Sequence, residues 1–384
     1  MSEQHQEHRV RLSSARRVVI KVGSQVLTTE DGRPNEALIG RLALEIAELR
    51  NADKDVIMVS SGAIAYGKEA LDWEGEVRTV AESQMLASMG QPVLIQAHRE
   101  ALHKQGIRLA QVLLTHRDIA DRTAYLNAHN TLTHLLQRGV VPVINENDAV
   151  GYEEICFGDN DKLAALVAVM VEADLVLLLT VPDGLYDQDP TLNTEAERIG
   201  FITPDAELPS SEQLQGTNDL GRGGMASKVD AAQIANEAGI AVVVSTGRAE
   251  RPVGRVLDGA DVGTLFPASC GPLEKRRHWV RHGLKVQGSI LLDAGATRAV
   301  ADKGASILPV GVVGVEGDFQ RGEAVQLVGP EGRVLGRGLA TYAANEIRKI
   351  KGKKSTEIKE LLGYRYLDVV IHRDDLILGE NGQP

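Results

Sequence analysis

Residues 173–181 read ADLVLLLTV. From Leu175 to Leu179 every side chain is apolar. A strand with one wet face alternates apolar and polar residues. An unbroken run therefore means a strand covered on both faces, the mark of a parallel sheet between helices. Five further candidate strands are RVVIKVG (17–23), DVIMVSSG (55–62), RLAQVLLT (108–115), VVPVINE (140–146) and IAVVVSTG (240–247), several of them apolar on successive positions. Helical patterns fall between them, near 35–51, 79–105, 122–138, 160–172 and 225–238. Pro92 is expected to kink or split the second. Strand–helix–strand alternation from 17 to 247 predicts an α/β fold: a three-layer αβα sandwich with a largely parallel central sheet.

Past residue 280 the pattern changes. Short segments such as GSILLD and SILPVGVVGVEG are broken by turn signals every few residues, and GPEGR (329–333) reads as a hairpin loop. This predicts a small, mostly-β domain over 283–370, after a linker at 271–282 and before a tail at 371–384. Residues 1–14 read as a disordered N-terminal extension, leaving 15–270 as the main domain.

The net charge of −11 argues against broad binding to nucleic acid or anionic membranes. The deficit lies before residue 283, and the last quarter is nearly neutral, with a basic run at 348–354. Aromatic residues are only 3%, so the cores must be built from Val, Ile, Leu and Ala. Cys156 and Cys270 form no C-x-x-C and read as ordinary thiols in a reducing compartment. The polar N-terminus has no apolar core for a signal peptide, and no apolar run reaches ~18 residues. A cytoplasmic location without membrane association is expected.

Ligands of parallel sheets sit at the carboxyl ends of the strands. Here those ends read KVGS, SSGA, NENDA, TVPDGLY and STGR. Lys21, Gly23 and Ser24 form either a strand end with a solvated lysine or a turn whose N–H groups approach an anion. Ser61 and Gly62 form either a tight turn or the lining of a carboxylate or phosphate pocket. INENDAV (144–150) sets Asn145, Glu146, Asn147 and Asp148 directly after a buried strand, as a polar turn or as a site for a zwitterion or metal. In FGDNDKLAALVAV (157–169), Asp159, Asn160 and Asp161 open an apolar helix. One such residue caps a helix, so three suggest a ligand. GRGGMASK (221–228) is a glycine loop opening a helix, either flexible or a phosphate cradle. Lys228 then falls in the first helical turn, where a cation is misplaced unless it holds an anion.

Several chemistries are excluded by their missing signatures. There is no Walker A loop, no G-x-G-x-x-G after the first strand, no H-E-x-x-H and no G-x-S-x-G. His129 and His134 do not make a metal pair, and no metal-ligand set is assigned. Two lysines, a carboxylate-rich helix start and glycine loops suit phosphoryl transfer between anions. That reaction needs positioning and charge neutralisation more than covalent chemistry.

In order, KVGS, VSSGAIAYG, VVPVINENDAV, GDNDKLAALVA, LLLTVPDGLY and GRGGMASK resemble the glutamate 5-kinases of the amino-acid kinase superfamily, over about 17–370. GDFQRGE and GRGLATYAANEI resemble the PUA domain that many bacterial members carry. The resemblance implies the amino-acid kinase fold and ATP-dependent phosphorylation of the γ-carboxylate of L-glutamate to L-glutamyl 5-phosphate, the first step of proline biosynthesis. It implies that Lys21 and Lys228 flank the transferring phosphoryl group and that Asp161 holds both. Ser61, Gly62, Asp148, Asn160 and Asn145 would bind glutamate. Lys21, Gly23, Ser24, Thr180, Val181 and the stretch Arg222, Gly223, Gly224, Met225, Ala226, Ser227 and Lys228 would line ATP, which carries Mg²⁺. Proline as feedback inhibitor, glutamyl phosphate reductase as a partner and a homodimer or homotetramer are implied as well. Val181 departs from the family's usual Asp and cannot accept a hydrogen bond; Asp183 is the candidate to replace it.

Two rival readings stand beside this one. Another kinase of the same fold fits poorly: NENDA offers carboxylates suited to a free ammonium rather than an N-acetylated acceptor, and a nucleotide acceptor would want more basic residues than the site offers. A PUA-mediated RNA-binding protein is opposed by the acidic charge of the first 282 residues.

Overall fold

The computed structural model describes residues 3–151, 160–188, 190, 193, 195–203, 224–268 and 286–378. The chain divides into two units, Met1–Asp121 with Asn127–Pro272, and Leu273–Pro384 with Arg122–Leu126.

In the first unit the apolar runs form strands β1 (Arg17–Val22), β2 (Asp55–Val59), β3 (Leu109–Leu114), β4 (Val141–Glu146) and β5 (Leu175–Thr180). β6 (Leu185–Tyr186) and β7 (Arg198–Ile199) make a small hairpin, and β8 (Ala241–Thr246) and β9 (Thr264–Phe266) complete the set. The main sheet has the order β3-β4-β2-β1-β5-β8-β9. All its pairings are parallel except β8 with β9. Val18, Val19, Ile20 and Val22 are fully buried, as are Leu175 to Leu178, so the central strands are covered on both faces.

The helices of this part of the chain are α1 (Glu3–Arg11), α2 (Ser24–Leu27), α3 (Glu36–Asn51), α4 (Ala63–Ala70), α5 (Val80–Lys104), α6 (His116–Ala120), α7 (Arg122–Gln137), α8 (Asn160–Met170), α9 (Met225–Glu237) and α10 (Pro252–Leu257). The expected helices appear within a residue or two of their predicted ends. α5 is locked at its start by a capping box, Thr79 with Glu82.

One expectation is corrected and one is narrowed. Pro92 does not split α5, which runs through it. Pro92 and Ser88 are both exposed, so the Ser88 carbonyl that loses its helical donor faces solvent. The N-terminal stretch is not a disordered extension but helix α1. Its sequence carries no apolar stripe, and polar and ring contacts anchor it: the buried His5 stacks on Phe201, with ring centroids 5.0 Å apart. The fully buried Arg9 guanidinium donates to the carbonyls of Val262 (2.5 Å), Gly200 (2.9 Å) and Gly263 (3.0 Å).

The second unit holds a five-stranded sheet, β11-β10-β12-β13-β14, made of β10 (Gly288–Leu292), β11 (Val312–Gly317), β12 (Ala324–Val328), β13 (Val334–Leu339) and β14 (Leu376–Leu378). β12 and β13 pair antiparallel across the expected turn at 329–333. Helices α11 (Ala294–Lys303), α12 (Ala344–Ile350) and α13 (Ile358–Leu362) accompany it. Its own core includes Ile290, Val325, Leu327, Tyr342 and Ile347.

Candidate active site

The register of the main sheet places the site. Lys21 pairs with Val59 on one side and Leu178 on the other; Val59 pairs with Ile144, and Leu178 with Val244. These residues form one row near the carboxyl ends, so the turns after β1, β2, β4, β5 and β8 emerge at one edge. β1 lies at the reversal of the order, with β2 on one side and β5 on the other. Crevices for ligands open at such points.

At the end of β1 the chain turns at Gly23, whose N–H donates to the Leu179 carbonyl at 2.9 Å. A Cβ at Gly23 would lie 3.3 Å from that same carbonyl and 3.9 Å from Lys21 Nζ, so the turn runs close against the lysine. Lys21 is 7% exposed. Its Nζ lies 2.5 Å from Asp161 Oδ1, and Lys228 Nζ lies 3.0 Å from Asp161 Oδ2. Asp161 stands in the first turn of α8 and is fully buried; Lys228 stands in the first turn of α9. Ser227 Oγ also donates to Asp161 Oδ2, at 3.1 Å. One carboxylate thus fastens a strand end and the starts of two helices. Burial alone would raise the Asp161 carboxyl, but the two ammonium groups outweigh it and hold the carboxyl well below the ordinary carboxylate range.

On the β2–β4 side lies an open cleft of about 870 Å³, whose lining includes Ser24, Ser61, Gly62, Asn145, Asp148 and Asn160. That size suits a small-molecule ligand. Gly62 has φ +94 and precedes the first residue of α4, a turn that a side chain would strain. It leaves the first N–H groups of α4 at the cleft, where they favour an anion. α4 in turn lies tight on α5: a Cβ on Gly90 would fall 1.8 Å from the Ala63 carbonyl oxygen. Asn160 Nδ2 donates to Ser60 O and Ser61 Oγ, both at 2.9 Å, and to Asn145 Oδ1 at 3.0 Å.

On the β5–β8 side, Thr180 ends β5, and its carbonyl accepts from Gly247 N at 2.8 Å. Val181 packs its side chain on the core. Asp183 Oδ1 accepts from Ser245 Oγ (2.9 Å) and Thr246 N (3.3 Å), tying the turn after β5 to the end of β8. Gly224 caps α9 without a side chain, and Met225, Ala226 and Ser227 are half-buried behind it. Asp159, Arg222, Gly223, Cys156, Cys270 and the linker at 271–282 lie outside the described residues.

Residues distant in sequence therefore meet as two clusters: Lys21, Asp161 and Lys228 in one, and Ser61, Asn145 and Asn160 in the other. Sequence reasoning missed two neighbours and gave Ser227 to the nucleotide without its bond to Asp161. Gln91 accepts from Asn145 Nδ2 at 2.7 Å, His98 Nε2 lies 2.9 Å from Ser60 Oγ, and Ser227 reaches Asp161. Only the seven-residue spacing of Gln91 and His98, two polar side chains on one helical face, could have hinted at the first two.

Comparison with known proteins agrees with this geometry. Residues 16–245 match the amino acid kinase family and 288–362 match the PUA domain. The glutamate 5-kinase of Trichlorobacter lovleyi is 46% identical over 368 residues, 96% of this chain and 98% of its own. Those of a Geobacter species and a Synechococcus species are 43% and 42% identical, covering 96% and 94% of this chain and 98% of each relative. The chain belongs to the glutamate 5-kinase family, with an amino acid kinase domain followed by a PUA domain.

Proposed function

We propose that this chain transfers the γ-phosphoryl group of ATP to the γ-carboxylate of L-glutamate, forming L-glutamyl 5-phosphate and ADP in the first step of proline biosynthesis. The observation that carries the reading is the buried Lys21–Asp161–Lys228 cluster at the reversal of the sheet. A carboxylate is already a nucleophile at neutral pH, so the reaction needs no general base. Its barrier is the repulsion of two anions and the charge that builds on the phosphoryl oxygens. Two lysine ammonium groups held by one carboxylate address both. Asp161 keeps them in place and offsets their mutual repulsion.

The cleft on the β2–β4 side is read as the glutamate site. Asp148 gives the substrate's ammonium an anion, and the α4 start at Ser61 and Gly62 suits a substrate carboxylate. The β5–β8 side is read as the nucleotide site, with Thr180, Val181 and Gly224 to Lys228. Both oxygens of Asp161 lie against ammonium groups, so the site fits a Mg²⁺ ion held by the nucleotide's phosphates, whose charge it neutralises. Inhibition by proline, assembly as a homodimer or homotetramer and hand-over of the product to glutamyl phosphate reductase belong to the same reading. So does a cytoplasmic location; no helix among the described residues is long and apolar enough to cross a membrane.

A coupled ADP-release assay with glutamate, aspartate and N-acetylglutamate, plus hydroxylamine trapping of the acyl phosphate, tests the proposal. Glutamate should give both ADP and a trapped hydroxamate, and the other two should give little. Faster turnover of N-acetylglutamate would overturn it.

A further inference from the structure

Helix α5 carries two polar side chains that the transfer reaction does not use. Gln91 and His98 lie seven residues apart, about two turns, and so share one face. Gln91 Oε1 accepts from Asn145 Nδ2 at 2.7 Å. His98 is 1% exposed, and its Nε2 lies 2.9 Å from Ser60 Oγ.

Between these two anchors runs a continuous set of hydrogen bonds. Asn145 Oδ1 accepts from the Glu146 backbone N–H at 2.9 Å and from Asn160 Nδ2 at 3.0 Å. Asn160 Nδ2 also donates to the Ser60 backbone carbonyl and to Ser61 Oγ. A backbone N–H and a backbone carbonyl cannot exchange roles, so both amide orientations are determined. The Asn160 nitrogen is turned inward. Its Oδ1 is buried and has no partner among the described residues, on a residue that lines the cleft. A buried acceptor left open is costly unless a ligand supplies the donor.

We propose that Gln91 and His98 are positioning residues that hold Asn145 and the Ser60–Ser61 turn, and through them aim Asn160 Oδ1 at the ammonium group of the substrate. The inference rests on the reading of this cleft as the glutamate site. Gln91 acts as an acceptor: without it the Asn145 amide, 2% exposed, keeps a buried N–H with no partner and must shift. His98 fixes the turn from behind by its bond to Ser60.

Steady-state kinetics of the full chain test this with paired variants. Gln91→Met and His98→Leu should each raise KM for glutamate roughly tenfold, with kcat and KM for ATP within about twofold of wild type. Gln91→Glu, which keeps an acceptor, and His98→Gln, which keeps a hydrogen-bonding group, should recover most of that loss. Thermal unfolding of each variant confirms the fold. If the buried His98→Leu change prevents folding, the half-buried Gln91 pair decides. Unchanged glutamate KM, an equal rise in KM for ATP, or no difference between Gln91→Met and Gln91→Glu would overturn the inference alone. Absence of glutamate turnover by wild type would overturn the substrate reading and this inference with it.

Discussion

On the β2–β4 side of Lys21, polar side chains bond to one another: Asn160 to Ser61 and Asn145, Asn145 to Gln91, and Ser60 to His98. On the β5–β8 side, the described residues assigned to the nucleotide offer the hydroxyls of Thr180 and Ser227, the second of them bonded to Asp161, an apolar Val181 and a glycine-capped helix start. On the proposed reading, the difference follows from the ligands. A small amino acid must be told from its analogues, which takes fixed donors and acceptors whose mismatch leaves buried groups unpaired. A triphosphate is recognised mainly by charge, which backbone N–H groups and lysines supply whatever their neighbours are. Under the proposed function, selectivity is concentrated on one side of β1, with Lys21 and Lys228 at the boundary.

The boundary should be the most sensitive part. Replacing Lys21 or Lys228 with Met should lower kcat by roughly 10²–10³, the scale of losing one transition-state donor. Asp161→Asn should do comparable harm, because one neutral amide cannot hold both ammonium groups. Turnover near wild type in Lys228→Met would remove that lysine from the transfer step.

Next in size is the selective side. Asp148→Ala should raise KM for glutamate about 30-fold, the low end of what losing one partner of a desolvated charge pair costs, because Asp148 is only partly buried. kcat and KM for ATP should move little, and discrimination against N-acetylglutamate should shrink. A collapsed kcat with unchanged glutamate KM would place Asp148 in the chemistry and break the division between the two sides.

Stability should carry the same asymmetry. Burial pushes His98 down to about 4. Its unfolded form titrates near 6.5, so between those values the unfolded chain binds a proton that the folded chain refuses. The native state loses stability as pH falls through that window. From pH 7 to pH 5 this group should account for about 2 kcal/mol, as 1.5 pH units below 6.5. Denaturant unfolding of wild type and His98→Gln at both pH values measures it, and the variant should show the smaller acid loss. Asp161 behaves differently. Its carboxyl is held below the ordinary range, so its contribution persists throughout the neutral region and is lost only in strong acid.

The smallest effect is expected on the nucleotide side. Val181→Asp should change KM for ATP by no more than about fivefold, since backbone groups and lysines dominate there. Glutamate KM should stay constant. A change above about tenfold would mean that this side, too, depends on a particular side chain.

Much of this was legible in the chain. The unbroken apolar run at 175–179 announced a doubly covered parallel sheet, because burial on both faces abolishes alternation. The polar strand ends at Lys21, Ser61, Asn145 and Thr180 marked one functional edge, because parallel strands deliver their carboxyl ends together. Helix α1 was not legible, because Arg9 is buried by carbonyls some 190 to 250 positions away, and no local pattern records such a partner. The three-residue β9 was too short to show a period. The sequence by itself determined which residues could meet a ligand and in which turns they stand, since period and turn chemistry are local properties. Tertiary structure alone decided that both lysines share the two oxygens of Asp161, that Asp183 is tied to the end of β8, and that Gln91 and His98 stand behind the cleft on the β2–β4 side. Those facts depend on strand order and on helix packing close enough to require glycine at position 90, and neither is written in any short window of sequence.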